Sequence, residues 1–175
     1  MAIQTITGHV TQAISFSQQS NLYFELAKQT DWSDPSSPDL EVSSTTDLPD
    51  SQAFVSVVNK FLVYDNGVTT NQDDTDTYII YKGHQWNIAT TENAVANKAY
   101  YVVLIGNLSV GVLPSFKYTQ IGIRQGTILA SNVASQSYAK SSDVTTKGSL
   151  IYYENRQLET YTDATRKNIK YMIQF

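Results

Sequence analysis

At 175 residues the chain suits one domain with a proper core, and with no cysteine it excludes disulfides and thiolate metal sites. Charged residues make up only 16% and the formal net charge is -4, which argues against a general electrostatic attraction to nucleic acid. No apolar run approaches the roughly 20 residues of a membrane span. The start, Met1-Ala-Ile-Gln-Thr-Ile-Thr-Gly-His9, lacks the basic and continuously apolar regions of a secretory leader, so export by that route is not expected.

In chain order, Ile3, Ile6, Val10 and Ile14 recur at spacings that fit an amphipathic helix as well as a strand. Asn21-Leu-Tyr-Phe-Glu-Leu-Ala27 is a compact apolar run and reads as a core strand. From Thr30 to Asp50 the chain is rich in Asp, Ser and Pro, with Trp32 the exception, and reads as a long surface loop over 28–50. Pro49, Asp50 and Ser51 suit the first turn of a helix, and Ala53, Phe54, Val57, Val58, Phe61 and Leu62 recur at helical spacing. A short helix is therefore expected there, ended by Asp65-Asn66-Gly67. A polar loop follows over 71–76.

Thereafter strands are expected over 78–81, 85–89, 99–105, 118–123 and 127–130, with Ala99-Tyr-Tyr-Val-Val-Leu-Ile105 apolar enough for a central strand covered on both faces. A long connection over 131–147 precedes two final segments, Gly148–Arg156 and Asn168–Phe175, which read as paired strands. Period-two alternation places Ile169, Tyr171, Ile173 and Phe175 on one docked face. The fold class is all-β, mainly an antiparallel β-sandwich, with one or two short helices. It forms a single domain over 1–175 with long loops at 28–50 and 131–147.

Candidate chemistry is sparse. Asp73, Asp74 and Asp76 could offer oxygen ligands to calcium, but the glycine and distal glutamate of an EF-hand loop are missing, so a solvated acidic loop is the simpler reading. His9 and His84 have no cysteine to complete a zinc set, and no nucleophile-elbow pattern accompanies them; a hydrolase using His84 with a carboxylate lacks any substrate signal. The glycines at 106, 111, 122 and 126 match no phosphate loop. Trp32, Trp86 and several tyrosines could present rings to sugars, so a receptor- or carbohydrate-binding β domain is the alternative function. In a strand, Glu154 and Arg156 share one face and Tyr153 and Asn155 the other. Arg156 is then either an exposed, weakly paired charge or a buried or interfacial fork that orders carboxylates or carbonyls.

Ile151-Tyr-Tyr-Glu-Asn-Arg156, followed by an Ile-rich strand ending in Phe175, resembles the end of the T-even-type phage baseplate wedge protein family, the product of gene eight. The likeness recurs in order at Asn21-Leu-Tyr-Phe-Glu-Leu26 with Thr30-Asp-Trp32-Ser33, at Ala96-Asn-Lys-Ala-Tyr-Tyr-Val102, and at Leu113-Pro-Ser-Phe-Lys-Tyr-Thr-Gln-Ile-Gly-Ile123. The resemblance implies a noncatalytic structural subunit of a baseplate wedge in a contractile tail, located in the virion, without cofactor, homodimeric and joined to other wedge proteins. It also implies interface roles for Trp32, Tyr152, Tyr153 and Arg156, which lie in the matched segments. The chain is too short for the large insertion of the T-even protein between its middle strands.

Overall fold

A computed structural model describes residues 3–69 and 73–175. The first element is helix α1, Ile6–Ser17, which resolves the open reading of this segment. Thr5 caps it, its hydroxyl accepting from Gly8 N at 3.2 Å, and Val10, Ala13 and Phe16 form its buried stripe. All other long elements are strands: β1 (Leu22–Ala27), β2 (Ala53–Ser56), β3 (Asn59–Thr69), β4 (Tyr78–Tyr81), β5 (His84–Ile88), β6 (Tyr101–Leu108), β7 (Phe116–Gln125), β8 (Ile128–Leu129), β9 (Tyr138–Lys140), β10 (Val144–Thr146), β11 (Ser149–Tyr161) and β12 (Lys167–Gln174). A 3-10 turn spans Ser141–Asp143. The described register pairs are antiparallel, so the chain is all-β and antiparallel with one short helix and one 3-10 turn, as expected.

The chain divides into two compact units, each built from separate segments. One comprises residues up to Ser20, Asn59–Ile105 and Lys170–Phe175; its strands follow the order β12-β6-β3-β5-β4. Val63, Ile79 and Val103 are its buried centre, ringed by Phe61, Trp86, Ile88, Tyr101, Ile105 and Met172. β6 is interior to that sheet, and Val102, Val103 and Leu104 are fully buried on alternate faces, as its apolar run predicts. Ile169, Tyr171 and Ile173 are buried with the expected alternation, and Phe175 packs on Phe16 with ring centroids 5.2 Å apart while its N–H donates to Tyr100 O.

The other unit comprises Asn21–Val58 and Gly106–Ile169, with sheet order β11-β7-β1-β2-β9. Phe24, Leu26, Val55, Ile121 and Ile123 are fully buried in it. Loop 28–50 indeed carries no helix or strand. The segment 131–147, expected as a long connection, carries β9, the 3-10 turn and β10.

Three expectations need correction. The helix over Ala53–Leu62 is instead β2 and the start of β3: Ala53, Phe54 and Val55 are all fully buried between β1 and β9, so burial on both faces produced apolar spacing that mimics a helix. Asp65-Asn66-Gly67 does not end an element; it is a register shift inside β3, with Gly67 at φ +73° and its N–H donating to Asp65 Oδ1 at 2.6 Å. The two last strands do not pair with each other. β11 pairs with β7 and β12 borders β6, because β7 offers β11 a longer partner than the connected strand does. Of the polar loop over 71–76, residues 71 and 72 lie outside the described residues.

Gly148 immediately precedes β11 at φ +76°, and a Cβ there would sit 2.3 Å from Gln125 O and 2.8 Å from Gly126 C and Thr127 N. These are backbone atoms at the end of β7, where Gln125 pairs with Ser149, and not the tips of flexible side chains. Gly148→Ala is expected to cost about 2 kcal/mol or more, read as a lower urea midpoint; an unchanged midpoint would contradict the close approach.

Candidate protein interface on the strap-bearing sheet

The loop 28–50 is a strap laid over one face of the β11-β7-β1-β2-β9 sheet. Gly122 of β7 lies beneath it: a Cβ there would meet Leu48 Cδ1 at 2.9 Å, so glycine lets the strap come close. Leu48 is buried and Trp32 is only 7% exposed; these are the apolar anchors. The Trp32 Nε1–H donates to Arg156 O at 2.6 Å, and Lys28 Nζ stands 3.7 Å from the indole ring centre. Further along, the Tyr153 hydroxyl accepts from Val42 N, donates to Val42 O at 3.2 Å, and lies 3.2 Å from Thr45 Oγ1. Asn155 Nδ2 donates to Asp39 O at 2.8 Å, and Asn155 N donates to Glu41 Oε1 at 2.9 Å. A segment without secondary structure thus satisfies its backbone through side chains of β11.

On the alternate positions of β11 the predicted pair is made. Arg156 Nη2 donates to Glu154 Oε2 at 2.9 Å and Nη1 to Glu159 Oε1 at 3.4 Å. Glu159 Oε2 also accepts from Lys167 Nζ at 2.6 Å and from the Tyr118 hydroxyl at 2.8 Å. The Arg156 side chain is 19% exposed, so it orders carboxylates from a partly dry position rather than waving in solvent. Tyr152 is half-buried, which raises its hydroxyl pKa above the ordinary value. The structure therefore brings Trp32, Tyr153 and Arg156 into one neighbourhood on β11 and the strap, while Tyr152 precedes them on the strand. Trp32 and Tyr153 spend their polar groups on holding the strap.

A second charged cluster lies under the strap and had not been foreseen. Arg124 is 2% exposed and Glu25 0%. Arg124 Nε donates to Glu25 Oε2 at 2.7 Å, Nη1 to Gly148 O at 3.1 Å, and Nη2 to Asp47 Oδ1. Lys147 Nζ reaches Asp47 Oδ2 at 3.0 Å and Ser51 Oγ donates to Glu25 Oε1. This network ties β1, β7, the start of β11 and the strap together. Its only trace in the sequence is one charge inside each of two apolar runs, Leu-Tyr-Phe-Glu25-Leu-Ala and Gln-Ile-Gly-Ile-Arg124.

Two carboxylates in these clusters hold their protons less tightly than usual. Burial alone would raise Asp47, but hydrogen bonds from Lys147 and Arg124, with their charges, hold it below the ordinary range. Burial likewise opposes, and Lys167, Tyr118 and Arg156 outweigh it, at Glu159. A folded pKa below the unfolded one gives stability that is present above the unfolded value, about 4, and is lost as pH falls through the folded one. The urea midpoint is expected to hold steady between pH 8 and about 5 and to fall below about 4; an equal midpoint at pH 3 and pH 7 would contradict it.

The other candidates sit in the first unit. His84 Nε2 lies 2.6 Å from Asp65 Oδ1, a pair that by itself supplies no nucleophile. Trp86 packs into the apolar cluster with its ring 4.8 Å from that of Tyr101, instead of lying open for a sugar. Asp74 Oδ1 accepts from Ile80 N and its carboxylate pairs with Lys170 Nζ at 2.6 Å. Among the described residues no group of three or more His, Asp or Glu side chains is placed to hold a metal ion. No described helix is long and apolar enough to cross a membrane.

The family model described as baseplate wedge 3 tail fiber network component matches residues 1–175. Virion protein 3 of Enterococcus phage phiEF24C is 25% identical over 175 residues, covering 99% of this chain and 94% of the phage protein. The resemblance of the sequence to a phage baseplate wedge protein is borne out by these matches.

Proposed function

This chain belongs to the baseplate wedge 3 tail fiber network component family, and from that footing we propose that it joins neighbouring baseplate proteins of a contractile phage tail as a noncatalytic brace. Its place is the phage virion, in the baseplate. The observation that carries the reading is the full-length family match together with a long segment without secondary structure held rigid against a sheet. A brace must present an ordered surface before its neighbour arrives, because ordering it on contact would subtract from affinity.

In this reading the chain acts as one domain and as a homodimer that contacts other wedge or fibre-network proteins. Tyr152 and Arg156 supply half-buried area at the contact, Arg156 holding the carboxylates of Glu154 and Glu159 in place, and Trp32 and Tyr153 shape the surface by fixing the strap. A stable subunit contact would bury on the order of 1,200–2,000 Å².

The test is incorporation into tails. Wild-type chain and the Tyr152→Ala and Arg156→Ala variants, each first shown to fold by circular dichroism, are supplied to phage lacking the gene, and tails are purified and quantified. The wild type should be found in the baseplate and the variants depleted. If both fold and enter tails at the wild-type level, the interface assignment fails; light scattering that gives a monomer at micromolar concentration would remove the homodimer.

A further inference from the structure

The strap carries two apolar side chains with no place in the core. Leu40 is 87% exposed and Val42 57% exposed. Single exposed leucines are ordinary on protein surfaces. These differ because their backbone is fastened on both sides: Asp39 O accepts from Asn155, Val42 N and O are both bonded to the Tyr153 hydroxyl, and Gln157 Nε2 donates to Ser36 O at 3.4 Å. Between them Glu41 turns its carboxylate back to Asn155 N. β11 thus holds the strap so that Leu40 and Val42 stand outward on an ordered backbone.

The charge flanking the ridge along the strap is acidic: Asp34, Asp39 and Glu41 are exposed on it, and residues 29–50 contain no lysine or arginine, while Asp47 further on is matched by Arg124 and Lys147. We propose that the Leu40–Val42 ridge is a preformed docking element for a different virion protein, whose matching surface is an apolar pocket rimmed by lysine and arginine. Apolar burial supplies the affinity and the acidic flanks select against acidic surfaces. Two such ridges meeting face to face would oppose like charges, which disfavours a second copy on this element. The proposal rests on the baseplate reading and names the kind of partner that reading leaves open.

The test uses the full chain in assembled tails. A photo-crosslinking residue, Leu40→p-benzoylphenylalanine, is supplied during infection, purified tails are irradiated, and crosslinked peptides are identified by mass spectrometry. The expected product joins position 40 to an apolar side chain of another virion protein with Lys or Arg close by. In parallel, Leu40→Ser/Val42→Ser should keep the wild-type circular dichroism spectrum and urea midpoint while its incorporation falls roughly tenfold or more, the scale of losing interface anchors. A crosslink to a second copy, to an acidic segment, or to nothing, or normal incorporation of the double variant, overturns the proposal. Absence of the wild-type chain from tails would instead overturn the baseplate reading itself, and the proposal with it.

Discussion

Arg124→Ala should lower the unfolding free energy by about 3–5 kcal/mol, because it leaves a fully buried carboxylate without its main partner. Glu25 is 0% exposed; after the change its partners among the described residues are Ser51 Oγ and the ammonium of Lys147, 3.6 Å away. The same guanidinium also satisfies Gly148 O and fixes Asp47, so its loss loosens the entry to β11 and the strap at once. The measurement is equilibrium urea unfolding with tryptophan fluorescence, the midpoint falling at constant slope. A companion variant separates breaking the pair from needing it. Arg124→Met/Glu25→Leu removes both charges in favour of apolar volume and should be markedly more stable than Arg124→Ala, since a buried pair gains little over well-packed apolar residues. A loss below about 1 kcal/mol in Arg124→Ala would mean that water reaches Glu25 and that the network is not dry.

What could be seen in the residues beforehand follows from the range of the interaction that decides each feature. The faces of β11 were legible: Tyr153 and Asn155 hold the strap while Glu154 and Arg156 bond to each other, as alternation requires. So was β4, whose expected bounds are those observed, because turn residues bracket a short aromatic run. The strap was legible as a loop, from its prolines and aspartates. That it is bound down was not, since its docking depends on a few side chains over a hundred positions away, such as Asn155 on Asp39. Glu25 and Arg124 are 99 positions apart, and only the pairing of Glu25 with Gly122 across β1 and β7 brings them together. The missed strand at Ala53–Ser56 has the same origin: its partners β1 and β9 decide it, and local spacing pointed to a helix.

Trp32→Ala is the second large effect, about 3–5 kcal/mol, for removal of a buried indole whose neighbours cannot close the gap. The ring is 7% exposed, capped by Lys28 and bonded to Arg156 O, so its loss frees the first anchor of the strap and strips a carbonyl of β11 of its donor. Trp32→Phe keeps the larger part of the ring, deletes the hydrogen bond and leaves a smaller cavity, and should cost about 1–2 kcal/mol. The difference between the two variants reads the packing of the part of the ring that phenylalanine retains. Limited proteolysis adds a local reading: in Trp32→Ala the strap should be cut within residues 33–45 well before the sheet unfolds, because a segment with no secondary structure of its own is held only by its anchors. Leu40 and Val42 would then no longer stand at a fixed position, and assembly should suffer more than the global stability loss predicts. If Trp32→Ala shifts the urea midpoint by no more than Trp32→Phe and the strap resists protease as before, the packing of the ring adds nothing and Tyr153 and Asn155 hold the strap without it.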